Sequence, residues 1–217
     1  MPISVAETDI RDQRQNIEGE DRLEKAAYLR LPEARRQEII EKSMDLYLEY
    51  PYKEVTIRRI VERLQINMNT FYRYFASKDD LYLYLYDAIE GKAEQRLLPD
   101  EFFIRLQDAG GVWTERENRF LLTFLELPDE VIHRVYFDPN LNISGHIRQF
   151  YRERLEEKRQ KGLLREDVDM DLATYLYLTA NYNLLQYART YHLSLEEFME
   201  KKEYLYYTLF EHGVSNK

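Results

Sequence analysis

Cysteine is absent from all 217 residues. That removes disulfides, thiolate nucleophiles and cysteine-held metals, and makes a cytoplasmic protein the expectation. Glycine and proline are scarce too, at 7 and 6 residues. Together with the lack of long alternating apolar and polar runs, this excludes a turn-rich β-protein and predicts an all-α chain. No apolar run is long enough to cross a bilayer, and the N-terminus lacks a signal-peptide core. The marks of an enzyme are missing as well: there is no glycine-rich phosphate loop and no nucleophile elbow. The four histidines, His133, His146, His192 and His212, form no recognisable metal motif. His192 with Glu196 is a single i, i+4 pair, and Glu156–Glu157 and Glu196–Glu197 read as solvated helix charges. No catalytic residue, metal or cofactor is expected.

What is present centres on Thr56–Lys78, TIRRIVERLQINMNTFYRYFASK. Ile57, Ile60, Val61 and Leu64 fall on one face of a first short helix. After a polar break at Gln65–Asn67, Phe71 and Phe75 share one side of a second, leaving Met68, Asn69, Tyr72 and Arg73 outward. Ile66 fits the angle between the two. This is the pattern of a helix-turn-helix, whose second helix offers its first residues to base edges in the major groove. Charge agrees. From Lys53 to Lys78 six cations (Lys53, Arg58, Arg59, Arg63, Arg73, Lys78) face two anions (Glu54, Glu62), a local excess of four in a chain of net charge -9. A basic patch on an acidic protein suits phosphate binding.

Arg36–Tyr86 resembles the DNA-binding domain of the TetR family of transcriptional regulators. The matching features are the opening helix RQEIIEKSMDLYLEY, the Tyr52–Thr56 approach, the two short helices, the run Thr70-Phe71-Tyr72-Arg73-Tyr74-Phe75, and Ser77-Lys78-Asp79-Asp80-Leu81 at the start of a fourth helix. One departure is Gln65 in the turn, where the family usually has glycine; a non-glycine residue at positive φ costs about 1 kcal/mol. The resemblance implies that Met68, Asn69 and Tyr72 face bases, with Arg58 reaching in from the preceding helix. It places Thr56, Thr70, Tyr74 and Lys78 against phosphates, and Asn67 and Arg73 complete the set. The chemistry is consistent: Arg pairs with guanine, Asn with adenine, and Met or a Tyr ring meets a thymine methyl. Thr56 and Asn67 are also the expected N-caps. For Tyr72 and Tyr74 plain packing is the competing reading. Lys78 sits in a first helical turn, where a cation opposes the dipole, so its role is not helix stability.

The rest of the chain reads as helices joined by short breaks. Met1–Arg30 is polar, with five cations against seven anions; it reads as a flexible arm or a marginal helix, and its net negative charge disfavours DNA contact. Residues 31–78 form the DNA-binding domain, its first helix opened by Pro32 and ended by Pro51. Residues 79–217 form a helical ligand-binding and dimerisation domain. Within it, helices are expected from Ser77 to about Leu98, at Asp100–Gln107, after the capping box Thr114–Glu117, after Pro128, over Ile143–Lys161, Asp171–Tyr191 and Leu195–Glu211. The last two carry apolar faces (Leu172, Tyr175, Leu176, Leu178, Thr179, Tyr182, Leu185; Phe198, Leu205, Tyr206, Leu209, Phe210) wider than one neighbour covers. In the family such helices pair with their twofold mates.

The resemblance therefore implies a homodimer, joined through the last two helices, that binds a palindromic operator in double-stranded DNA and is released by a small molecule as a repressor. Candidate pocket residues are Phe103, Trp113, Phe120, Phe124, Tyr136, Phe150, Tyr151, Tyr175 and Tyr182, although aromatic residues at helical spacing are more often plain core. With no cationic cluster evident, a neutral or cationic, flat or greasy effector fits. Two alternatives stay open: a helix-turn-helix regulator governed by a protein partner with no pocket, and an enzyme or lipid carrier on a helical scaffold, which leaves the basic patch unexplained.

Overall fold

The computed structural model describes residues 23–94, 113–138 and 141–213, all of them in helices or the links between helices apart from isolated bridge pairing such as Glu24 with Phe75. A short helix α1 (Ala26–Leu29) precedes α2 (Glu33–Glu49), which starts immediately after Pro32 and stops before Pro51. A 3-10 turn at Tyr52–Glu54 leads to α3 (Ile57–Leu64) and α4 (Met68–Tyr74), and α5 (Lys78–Glu94) follows. The C-terminal part comprises α6 (Glu115–Leu122), a 3-10 turn at Thr123–Glu126, α7 (Asp129–Phe137), α8 (Asn142–Gln160), α9 (Met170–Thr190) and α10 (Leu195–Leu205). The chain then continues in a π-turn at Tyr206–Glu211. The helix expected at Asp100–Gln107, with Phe103, and residues 1–22 of the expected arm lie outside the described residues.

Helix boundaries follow local chemistry. Thr114 and Ser194 each form a full capping box with the glutamate three residues on, Glu117 and Glu197. Asp169 accepts from the Asp171 and Leu172 amides, both at 3.0 Å. Pro128 fixes the approach to α7 without donating a hydrogen bond. Gly162 takes φ 67 where α8 ends, and the Leu163 amide closes back on the Lys158 carbonyl at 2.9 Å.

The N-terminal and C-terminal helices share one aromatic core. Tyr82 of α5 is fully buried, edge-on to Tyr47 (5.1 Å) and Tyr52 (5.4 Å) on one side and against Phe120 of α6 (5.1 Å) on the other. Its hydroxyl pairs with Thr123 Oγ1 at 2.9 Å. Burial raises the pKa of Tyr47 and Tyr82 above the ordinary tyrosine range, so both stay neutral phenols. Polar links cross the same seam. Arg116 of α6 donates to the Glu41 carboxylate, to the Glu41 carbonyl at 2.7 Å and to Asp45 at 2.6 Å, all on α2. Arg134 of α7 reaches Asp80 of α5 at 2.8 Å. Trp113 donates its indole N–H to the Ile89 carbonyl at 3.0 Å. The small helical head is thereby seated on the body rather than tethered to it.

The expected arm is redrawn by this fold. Residues 23–30 are not a free tail: Leu23 and Tyr28 are buried, and α1 packs beside α4. Tertiary contact, not helix propensity, holds this single turn.

Candidate nucleic-acid interface

The turn between α3 and α4 is built from local hydrogen bonds. Thr56 Oγ1 accepts from the Arg59 amide at 3.3 Å and caps α3. At the other end Gln65 takes the left-handed conformation, φ 55 and ψ 45. The Gln65 amide bonds to Glu62 O and the Ile66 amide to Val61 O, which closes a Schellman-type cap. Asn67 then opens α4, its Oδ1 accepting from the Thr70 amide at 2.8 Å.

Helix α4 is amphipathic to the extreme. Phe71 and Phe75 are 0% and 1% exposed, whereas Met68 and Tyr72 are 42% and 45% exposed. Asn67, Asn69 and Arg73 are exposed too, and Thr70 and Tyr74 are half-buried. The two phenylalanines therefore anchor a helix whose opposite side presents a thioether, an amide, a phenol and a guanidinium to solvent. Exposed large apolar groups at such a place carry no folding benefit; they do suit contact with base edges and thymine methyls. Of the expected set, α4 thus brings Met68, Asn69, Tyr72 and Arg73 onto one open face, with Arg58 of α3 also exposed nearby in sequence. Arg58 holds Glu62 at 2.9 Å with its side chain 83% exposed, a pair that contributes little and opens readily.

The basic patch is thinner than the sequence suggests. Arg59 lies over the Tyr50 ring at 4.1 Å, and Arg63 pairs with Glu49 across to α2. Lys78 is turned inward: its ammonium donates to the Tyr52 and Val55 carbonyls, each at 3.0 Å, and lies 4.3 Å over the Tyr52 ring. Burial lowers its pKa. In the structure, then, Lys78 caps the 3-10 turn and fixes the approach to α3. Tyr74 is packed, its ring 5.9 Å from Tyr28, and its carbonyl accepts from the Lys25 amide. Sequence reasoning misses Lys25 and Tyr28 altogether; the apolar cluster Ala26, Ala27, Tyr28, Leu29 just before Pro32 is the signal that points to them.

The candidate effector residues divide. Trp113, Phe120, Tyr136 and Tyr151 are core side chains, with Tyr151 against Tyr177 at 4.0 Å. Phe124 is half-buried between Tyr86 and Tyr136. Phe103 and the side chain of Phe150 lie outside the described residues. Tyr175 and Tyr182 line a cavity, an open groove of about 590 Å³ between α7, α8 and α9. Its other walls include His133, Phe137, Arg148 and Arg152, the last paired with Asp171. The groove is thus partly cationic, which sequence spacing does not reveal because Arg148 and Arg152 look like ordinary surface charges of α8. Among the described residues no cluster of three or more His, Cys, Asp or Glu can hold a metal, and no helix is long and apolar enough to cross a membrane.

A short exposed helix seated by two buried aromatics behind a capped turn defines a helix-turn-helix protein of the DNA-binding class. Comparison with known proteins agrees. Residues 39–85 match the family model of bacterial regulatory proteins, tetR family. The HTH-type transcriptional regulator TcmR of Streptomyces glaucescens is 33% identical over 55 residues, a match spanning 25% of this chain and only 24% of that relative. Among solved structures, a TetR family transcriptional regulator from Chloroflexus aurantiacus J-10-FL is 22% identical, with 90% of this chain and 100% of that chain covered at a TM-score of 0.41. GusR of Salmonella enterica is 15% identical, covering 81% and 95%, at a TM-score of 0.45. Residues 39–85 thus carry the helix-turn-helix DNA-binding domain that the tetR family model describes.

Proposed function

We propose that this protein is a sequence-specific DNA-binding transcriptional regulator, a homodimer that represses from a palindromic operator and is released by a small molecule. The observation that carries the reading is the outward face of α4, where Met68, Asn69, Tyr72 and Arg73 stand exposed over a buried Phe71–Phe75 anchor. Arg58 would join them at base edges, with Thr56 and Thr70 toward phosphates. Residues 31–78 act as the reading head and 79–217 as the effector and pairing unit.

Pairing is supported by the body's surface. Leu172, Tyr175, Leu176, Tyr187 and Tyr191 on and just after α9, with Tyr204 and Tyr207 on α10 and its continuation, are each more than 40% exposed. So many large apolar groups on two adjacent helices suit a second copy of the chain, and a twofold dimer matches two half-sites. Control by a ligand is supported by the groove between α7, α8 and α9, which is large enough for a small molecule. A ligand that prefers the conformer whose heads mis-space for the operator lowers DNA affinity by population shift.

The test is selection of bound sequences from random duplex DNA, with wild type beside Tyr72→Ala and Arg58→Ala. Wild type should enrich a palindrome, and both variants should lose information at positions within each half-site. Absence of any enriched sequence would sink direct readout by α4.

A further inference from the structure

The segment just before the DNA-binding head lies outside residues 39–85, the span that matches the family model, yet it holds the end of α4 through two hydrogen bonds and a buried ring. Helix α4 has only seven residues, so it is too short to be stable alone and its last carbonyls need outside partners. Lys25 supplies them. Its backbone amide donates to the Tyr74 carbonyl at 2.8 Å, and its ammonium donates to the Tyr72 carbonyl at 2.9 Å. A cation at a helix C-terminus also meets the negative end of the dipole. The isolated bridge between Glu24 and Phe75 extends the same junction by one residue on each side.

Tyr28 completes the grip one turn later. It is fully buried, with ring centroids 5.9 Å from Tyr74 and 5.0 Å from Phe75 at the end of α4, and 5.2 Å from Tyr84 of α5. Its hydroxyl donates to the Arg36 carbonyl of α2 at 3.4 Å. One side chain thus ties the end of α4 to α2 and α5. The residue whose carbonyl Lys25 holds, Tyr72, is the one whose ring is most exposed on the reading face.

We propose that Lys25 and Tyr28 are positioning residues for DNA readout: they fix the pose of α4, and so of Tyr72, without touching DNA themselves. This rests on the DNA-reading role of α4 proposed above. It assigns a function to part of a segment whose sequence reads as a flexible arm or a marginal helix. A positioning role differs from a phosphate contact in its signature. Loss of a phosphate contact weakens binding to every sequence alike and reduces the salt dependence by about one counterion. Loss of a positioning contact reduces the preference for the right sequence and leaves the salt dependence alone.

The experiment uses the full chain with Lys25→Met, Lys25→Arg and Tyr28→Leu. First, hydrogen exchange is followed without DNA at the amides of Arg73, Tyr74 and Phe75. Exchange should quicken about threefold to tenfold in Lys25→Met and Tyr28→Leu, return toward wild type in Lys25→Arg, and stay unchanged in α9. Second, affinity is measured for the selected duplex and a scrambled one across a salt series. Preference for the selected duplex should fall by about tenfold in Lys25→Met at an unchanged salt slope. Unaltered exchange at residues 73–75 overturns the proposal, as does an equal loss on both duplexes with a slope reduced by about one. Should Tyr28→Leu fold poorly, Lys25→Met, altered at an exposed side chain, carries the test alone. If wild type fails to discriminate any duplex, the DNA-reading role fails with it, while the exchange arm still decides whether Lys25 and Tyr28 hold α4.

Discussion

At the scale of single residues, Gln65 carries the backbone strain of the turn before α4. It holds φ 55 with an exposed side chain, a conformation that glycine adopts freely and an L-residue resists. Nothing in the surrounding contacts requires the glutamine side chain. Gln65→Gly should therefore raise stability by about 1 kcal/mol, read as a higher denaturation midpoint at unchanged slope. A decrease would mean that the side chain makes a contact worth more than the backbone strain. The caps on either side of this turn are legible in the sequence, because an N-cap depends only on residues three apart: Thr56 and Asn67 both accept the amide expected of them. Lys78 is not. Its partners are the carbonyls of Tyr52 and Val55, more than twenty residues away, and no spacing in the sequence encodes that meeting.

At the scale of elements, the seam between head and body is the structural basis for any signal that passes between them. Arg116 of α6 grips α2 through two carboxylates and a carbonyl, with its side chain 34% exposed. Since solvent screens such a pair, its value is modest but not negligible. A double-mutant cycle of Arg116→Ala with Asp45→Ala should give a coupling of about 0.5–1 kcal/mol in unfolding free energy. Strict additivity would show that α6 does not grip α2 in solution. Helix order and most breaks are readable from periodicity, proline and capping boxes, as at Pro32, Pro128, Thr114 and Ser194. The short α1 is not, because a single four-residue turn has too few hydrogen bonds to form alone and is held by contacts of Tyr28 with Tyr74, Phe75 and Tyr84, distant in sequence. The division of the body's aromatics into core and cavity is equally hidden. Periodicity places Phe120, Tyr151 and Tyr182 on inner faces but does not say which inner face is filled.

At the scale of the molecule, an acidic chain presents a small reading surface whose few exposed cations are supplemented by polar and aromatic side chains. Several of the patch's charges are committed internally, Arg63 to Glu49 and Lys78 to backbone carbonyls. Under the proposed dimeric DNA-reading role, affinity for arbitrary DNA should accordingly be weak, and discrimination should rest on the α4 face and on two heads held in register by pairing of the exposed apolar side chains of α9 and α10. The measurement that tests this most directly is a parallel titration of the selected palindromic duplex and a scrambled duplex at one salt concentration, with wild type and Tyr72→Ala. Wild type should bind the palindrome as a pair of chains and prefer it by about a thousandfold or more. Tyr72→Ala should lower that preference by about tenfold and leave binding to the scrambled duplex unchanged. Equal affinity of wild type for both duplexes would contradict the account.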